Sequence, residues 1–305
     1  MRIRVLGSSA GGGFPQWNCN CPNCDGLRRG TISARARTQS SIAVTDSDSD
    51  WLLVNASPDI LAQIRDNPEL QPGRSIRDSG IAAVLLMDAQ IDHVTGLLML
   101  RERKTPLPLL ATSEVFSDLS SGFPITGILS HYCGVARQEL PIDGSAVEIP
   151  ALAGLQLKTV ALSSKPPPYS PFRGAPRPGD NIGLLITNPA NGASAFYAPG
   201  LAEVTTDLID IMSHCTVVLV DGTFWTNDEM QRLGLSTKAA LDMGHLPQSG
   251  PGGMIEQLDR LPAGVRKILI HINNTNPMLV EDSPERAELT AHGIEVAHDG
   301  MDIAF

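Results

Sequence analysis

Ile81-Ala82-Ala83-Val84-Leu85-Leu86-Met87-Asp88-Ala89-Gln90-Ile91-Asp92-His93 is the stretch that decides the fold. Its first six residues form a short aliphatic run of strand length. The next seven are mostly polar, and helical apolar spacing begins at Thr95 and continues to Arg103. Polar groups at the carboxyl end of a strand sit on the rim of a sheet, where α/β proteins build their sites. Asp88, Gln90 and Asp92 alternate with Ala89 and Ile91. An extended backbone would therefore point all three to one side, and His93 would open the helix. Four groups able to bind metal or move protons, within six residues, exceed what a turn requires.

Outward from this junction, β-branched and aliphatic runs predict strands at Ile3 to Leu6, Trp51 to Val54, Leu155 to Leu162, Ile182 to Thr187, Thr216 to Val220 and Lys267 to Ile272. The polar turn Asp46 to Asp50 separates early strands in a hairpin. Helical spacing covers Glu203 to Met212 and Gly253 to Leu261. Ser283-Pro284-Glu285 reads as a helix start and Gly293 as its stop. Strands come first in groups and then alternate with helices. That order predicts the α/β class, with two sheet layers covered by helices in an αββα sandwich. No linker interrupts the 305 residues, so one domain is expected over 1–305. Lys165 to Pro178 holds six prolines and reads as an ordered surface loop.

A second cluster lies near the amino end, where Cys19, Cys21 and Cys24 place three thiols within six residues. Three thiolates in one turn suit Zn²⁺, which takes four soft or imidazole ligands. The bland alternative is a set of unrelated reduced cysteines. A closed zinc site here would pin a loop that has too few apolar residues to pin itself, and the fourth ligand must come from elsewhere in the chain or from water. Cys133 and Cys215 read as core or near-core thiols. Gly7 and Gly12 have phosphate-loop spacing, but Gly13 stands where the essential lysine would be, so this stretch reads as a turn leading to the clip.

A formal net charge of −10, with only short basic runs at Arg28-Arg29 and Arg101 to Lys104, argues against a nucleic-acid partner. The aliphatic runs are too short to span a bilayer, so no membrane insertion is expected. The amino end breaks into Gly and Ser before any apolar signal region develops. Bunched cysteines fit a reducing compartment, and a cytoplasmic location is expected.

Asp88-Ala89-Gln90-Ile91-Asp92-His93 followed by Thr95-Gly96-Leu97-Leu98, the cysteine clip, the segment His271 to Pro277 and the ending His298-Asp299-Gly300-Met301 together resemble the pyrroloquinoline-quinone (PQQ) biosynthesis protein B family, within the metallo-β-lactamase superfamily. The resemblance spans nearly the whole chain and implies the αββα sandwich of the metallo-β-lactamase type. Hydrolases of the superfamily carry His-x-His-x-Asp-His at this junction and hold two metals. Here Asp88 and Gln90 replace the first two histidines, and Phe196 to Gly200 offers no bridging carboxylate. A two-metal hydrolase is thereby disfavoured.

What survives is Asp92, His93 and His271, the two-imidazole, one-carboxylate set of non-haem Fe(II) oxygenases. Fe(II), or zinc or another divalent ion in its place, is expected there, with structural zinc at the clip. Asp88 and Gln90 would lie beside the metal. His245 reads as a proton shuttle or substrate contact, against the alternative of a loop hydrogen bond. Asp221 reads as a group touching substrate or supporting the ligands, against an Asx-turn. The implied reaction is hydroxylation, with O₂, of the tyrosine-derived ring of a Glu-Tyr precursor of PQQ. A carrier of PQQ or its precursor, assisting transport to the periplasm, is the alternative, and other proteins of the pathway are expected partners.

Overall fold

The computed structural model of the chain describes every residue except Asp48. Its strands are β1 (Arg2–Gly7), β2 (Ser41–Thr45), β3 (Trp51–Val54), β4 (Ile81–Leu85), β5 (Leu107–Ala111), β6 (Val135–Glu139), β7 (Gln156–Ala161), β8 (Ile182–Thr187), β9 (Ser194–Ala198), β10 (Val217–Asp221), β11 (Arg266–Ile270), β12 (Ile294–Val296) and β13 (Asp302–Ala304). They fall in two compact units, each assembled from separated segments of chain. The first comprises Met1–Gly7, Ser40–Ala193 and Gly300–Phe305, and the second Ser8–Gln39 and Ser194–Asp299.

In the first unit seven strands are ordered β13-β1-β2-β3-β4-β5-β6. The pairs β1/β13, β1/β2 and β2/β3 are antiparallel, and β3 through β6 run parallel. The expected hairpin joins β2 to β3, with Asp48 of its turn outside the described residues. The strands β7 and β8 form a second antiparallel pair. Trp51, Leu53 and Val84 from the sheet pack with Val94, Leu97, Val115, Phe116 and Leu119 from helical segments, all buried. At about 25 cal/mol per Å² of apolar area, such burial is the dominant force assembling the unit.

In the second unit β9, β10, β11 and β12 pair in parallel. All five residues of β10, Val-Val-Leu-Val-Asp, are buried, as expected for a parallel strand covered on both faces. Helices lie between these strands in sequence. Thr205 caps the helix Thr206–Ser213 by accepting from Leu208 N–H. Ser283 does the same for the helix Pro284–Ala291, accepting from Arg286 N–H at 3.1 Å. Gly293, with φ of +64°, follows that helix where the sequence predicts a stop. Among the described residues no helix is long and apolar enough to cross a membrane.

Candidate metal centres

In the first unit, β4 ends at Leu85 and the helix Ile91–Val94 begins after Gln90, which occupies the cap position with extended ψ of 145°. The expected alternation fails here. Asp92 lies inside the helix, not on an extended run, and the helix opens two residues before His93. The turn is built by Asp88, whose Oδ1 accepts from Gln90 N–H at 2.8 Å and from His93 Nδ1 at 2.7 Å. With Nδ1 donating to Asp88, the lone pair that a metal-binding imidazole needs falls on Nε2 once that nitrogen gives up its proton. Asp92 Oδ2 stands 3.8 Å from the same Nε2. Burial would push the His93 imidazole down, but the charges of Asp88 and Asp92 more than reverse this and raise it to about 9. Two anions around one buried ring make the position attractive to a cation.

Three supports hold this half-site, and the sequence signals none of them. Asn55, at a positive φ of 63°, accepts Met87 N–H through Oδ1 at 3.0 Å just before Asp88. Tyr169, from the proline-rich loop, donates its hydroxyl to Ala89 O. Gly96 donates its N–H to Ala56 O at 2.9 Å, and a Cβ there would stand 2.2 Å from Ser57 O. Glycine is thus required by close backbone approach.

In the second unit, Asp221 ends β10 and His271 follows β11 by one residue. His271 has a φ of +60°, a conformation that costs a non-glycine residue energy and is common at functional sites. It is held beside Thr223, whose Oγ1 lies 2.9 Å from His271 O, and by Ile272 N–H, which donates to Ser8 O at 2.9 Å. His245 is delivered by Gly244, at a φ of +93°, which ends the helix Ala240–Met243. Asp221 Oδ2 accepts from His245 Nδ1 at 2.6 Å and from Leu201 N–H at 2.8 Å, while Oδ1 accepts from Thr223 N–H at 2.8 Å. The Asx-turn is present at Asp221, and the same carboxylate also meets His245. Thr223 Oγ1 also lies 3.0 Å from His271 Nδ1, and the two imidazoles stack 5.5 Å apart. Burial would raise the Asp221 carboxyl, but the two imidazoles and Thr223 more than offset it and hold it below the usual range. Ligand atoms of Asp221, His245 and His271 all lie within 4.8 Å of one another.

The cysteine clip belongs to this second unit. The Sγ atoms of Cys19, Cys21 and Cys24 lie within 4.8 Å of one another and all three residues are buried. Cys21 precedes the helix Pro22–Arg29, and Cys24 lies in its first turn. Burial, together with neighbouring Cys19 and Cys24, pushes the Cys21 thiol up to about 12. Burial acts upward on Cys19 too, but bonds from Cys21 N–H and Asn274 outweigh it and bring that thiol below its usual value. Such unequal, crowded thiols fit a cation at their centre. Arg28 donates to Cys19 O at 2.6 Å and to Gln16 O, closing the loop. Cys215 is buried and Cys133 half-buried. Among the remaining histidines, His214 is exposed and His292 pairs with Asp259 at 2.7 Å.

Comparison with known proteins follows the same lines. A model of the β-lactamase superfamily domain matches residues 50–272. The chain is 66% identical over 302 residues to coenzyme PQQ synthesis protein B of Cupriavidus necator and 62% over 301 residues to that of Azoarcus sp., covering 99% of both chains each time. A crystal structure of Zn²⁺-bound PqqB from Methylobacterium extorquens is 38% identical, with a TM-score of 0.90 and full coverage of both chains. A diphosphatase of the PhnP family, 17% identical with a TM-score of 0.67, shares the fold over all of this chain and 97% of its own. The metallo-β-lactamase fold expected from the sequence is thus shown, and the chain belongs to the coenzyme PQQ synthesis protein B family.

Proposed function

We propose that this protein serves PQQ biosynthesis as a metal-dependent hydroxylase acting on the tyrosine-derived ring of a Glu-Tyr precursor. The observation that carries the reading is the hydrogen bond from His93 Nδ1 to Asp88 at 2.7 Å. It turns Asp88, which stands in a hydrolase ligand position, into the support of an imidazole ligand. The proposed ligand set is the one read from the sequence, Asp92, His93 and His271, and the metal is Fe(II). The zinc of the Methylobacterium relative supports a divalent ion in this family. A metal with two imidazoles, one carboxylate and open positions supplies the binding and reduction of O₂.

The protein's own groups do the rest. Asp88 fixes the tautomer and orientation of His93. Thr223 does so for His271, accepting from Nδ1 while donating to Asp221 Oδ1 at 2.6 Å. Asp221 stays ionised and holds the proton of His245 on Nδ1, so that Nε2 of His245 can take a proton from the ring and pass it on. Gln90 orients substrate. In balance, a ring C–H becomes C–OH, the second oxygen atom of O₂ leaves as water, and a two-electron reductant of the ascorbate class supplies the electrons.

The test loads the protein with Fe(II) anaerobically, adds precursor and reductant, and admits O₂. His93→Ala and His271→Ala should lose both metal and turnover, whereas Gln90→Ala should keep the metal and turn over more slowly. An iron-loaded protein that leaves the precursor unchanged but binds finished PQQ tightly would replace this reading with that of a carrier.

A further inference from the structure

In the second unit a cavity of about 200 Å³ lies at the end of β12, lined by Arg35, Arg37, Glu281, Arg286, Val296 and His298. The chain carries a net charge of −10, yet among the described residues that line this cavity three guanidiniums and an imidazole face a single carboxylate. That carboxylate, Glu281, is taken by Arg35, whose Nε stands 2.9 Å from it. Arg37 is 5% exposed, and its Nη1 donates to Ser8 Oγ at 3.0 Å and to Ala297 O. Its buried Nε–H has no partner among the described residues. Burial, and then the like charge of Arg286, pushes this guanidinium down to about 10 against the pull of Asp299 and Glu281. The Asp299 oxygens accept instead from Ser8 Oγ and Thr38 Oγ1, both at 2.8 Å. Arg286 is half-buried, and its Nε donates to Met278 O at 3.0 Å. A buried cation without a counter-charge is costly. The fork of N–H groups on a guanidinium matches the paired oxygens of a carboxylate or phosphate.

We propose that this cavity binds a small dianion of the phosphate or dicarboxylate class, held by Arg37 at its buried end and by Arg286 and Arg35 nearer the surface. Two negative charges would offset the excess of guanidinium over carboxylate in the lining. Pockets for drug-sized ligands measure about 300–1,000 Å³, so this smaller space suits an ion of a few heavy atoms. The site adjoins the strand that leads to His271. Val296 pairs with Leu269 of β11, and Ala297, whose carbonyl accepts from Arg37, donates its N–H to Leu269 O at 2.9 Å. Ser8 accepts from Arg37 through Oγ and, through its carbonyl, from the N–H of Ile272, the residue after His271. The dianion therefore sits one strand outward from His271, at the carboxyl ends of the parallel strands, where α/β proteins take their ligands. Binding here needs no metal and is independent of the proposed hydroxylation.

The test is calorimetric titration of the full chain at low salt, with inorganic phosphate in one arm and succinate in the other. At least one of the two should bind, and the tighter arm distinguishes phosphate from dicarboxylate. Hydrogen bonds to a charged group are the stronger kind, so Arg286→Gln should weaken binding by at least about tenfold. Glu281→Gln removes the carboxylate that competes for Arg35 and should tighten binding. Asp210→Asn makes the same change of charge on an exposed side chain of another helix and should leave the affinity as it was. Arg37→Gln should abolish binding; if that variant does not fold, Arg286→Gln and Glu281→Gln decide. Failure of both ions to bind the native protein, native affinity in Arg286→Gln, or binding no tighter in Glu281→Gln would each overturn the assignment. Equal tightening in Asp210→Asn and Glu281→Gln would do the same, because net charge alone would then account for the effect.

Discussion

Replacing Asp88 by Asn keeps the shape of the side chain and removes its charge, and the effect follows from two contacts. Asp88 Oδ1 accepts from Gln90 N–H at 2.8 Å and from His93 Nδ1 at 2.7 Å. The amide oxygen of Asn can accept both bonds, so the turn should persist. What is lost is the charge-assisted part of the bond to His93, because hydrogen bonds to an ionised group are roughly twice as strong as neutral ones. His93 is 2% exposed, so little solvent screens that loss. A carboxylate behind a metal-bound imidazole raises the basicity of the ligand, and losing such a partner weakens the metal by about 10–100-fold. That is about 1.4–2.7 kcal/mol of binding free energy. The assay is titration of Fe(II) or Zn²⁺ into the clip-loaded protein against a competing chelator, with the melting temperature followed in parallel. A drop in affinity at an almost unchanged melting temperature is expected. Native affinity in Asp88→Asn would refute the reasoning, because Asp88 would then do nothing for His93 that a neutral amide cannot.

Other consequences are simpler to state. Cys21→Ser should lose clip zinc and lower the melting temperature, and metal analysis showing undiminished zinc at the clip would count against it. Gly96→Ala should destabilise the protein by about 1–3 kcal/mol, the usual cost of overpacking, because its Cβ would stand 2.2 Å from Ser57 O; denaturant unfolding measures this. Glu229, 4% exposed, is raised by burial from 4.5 to about 6. The folded protein therefore binds more protons than the unfolded one between these values, and Glu229 lowers stability as pH rises from about 4.5 to 6, by roughly 2 kcal/mol in total. Glu229→Gln should flatten that part of the stability–pH profile, and an unaltered slope would show that Glu229 does not titrate there.

Sequence reasoning reached the strand-to-helix junction because an aliphatic run and a polar cluster are local signals. The same holds for the clip, where three thiols are adjacent, and for the last helix, where Ser283 and Gly293 mark both ends. It missed β5 and β9, and also β6, whose last four residues are exposed and carry no apolar alternation, and the short strands β12 and β13. These last exist through pairing with β11 and β1, partners that only the fold brings near. The supports of the site were hidden for the same reason. Asn55, Thr223 and Asn274 are ordinary polar residues until long-range contacts place them against Met87, His271 and the cysteines. The alternation of Asp88, Gln90 and Asp92 misled because the helix begins at Ile91, with Gln90 as its cap.

The claim that this metal site hydroxylates a ring is tested most directly by following oxygen. The iron-loaded protein, given precursor and reductant under ¹⁸O₂ in ordinary water, should return a product carrying ¹⁸O on the tyrosine-derived ring. An oxygen atom gained only from water, or a precursor recovered unchanged, would contradict it.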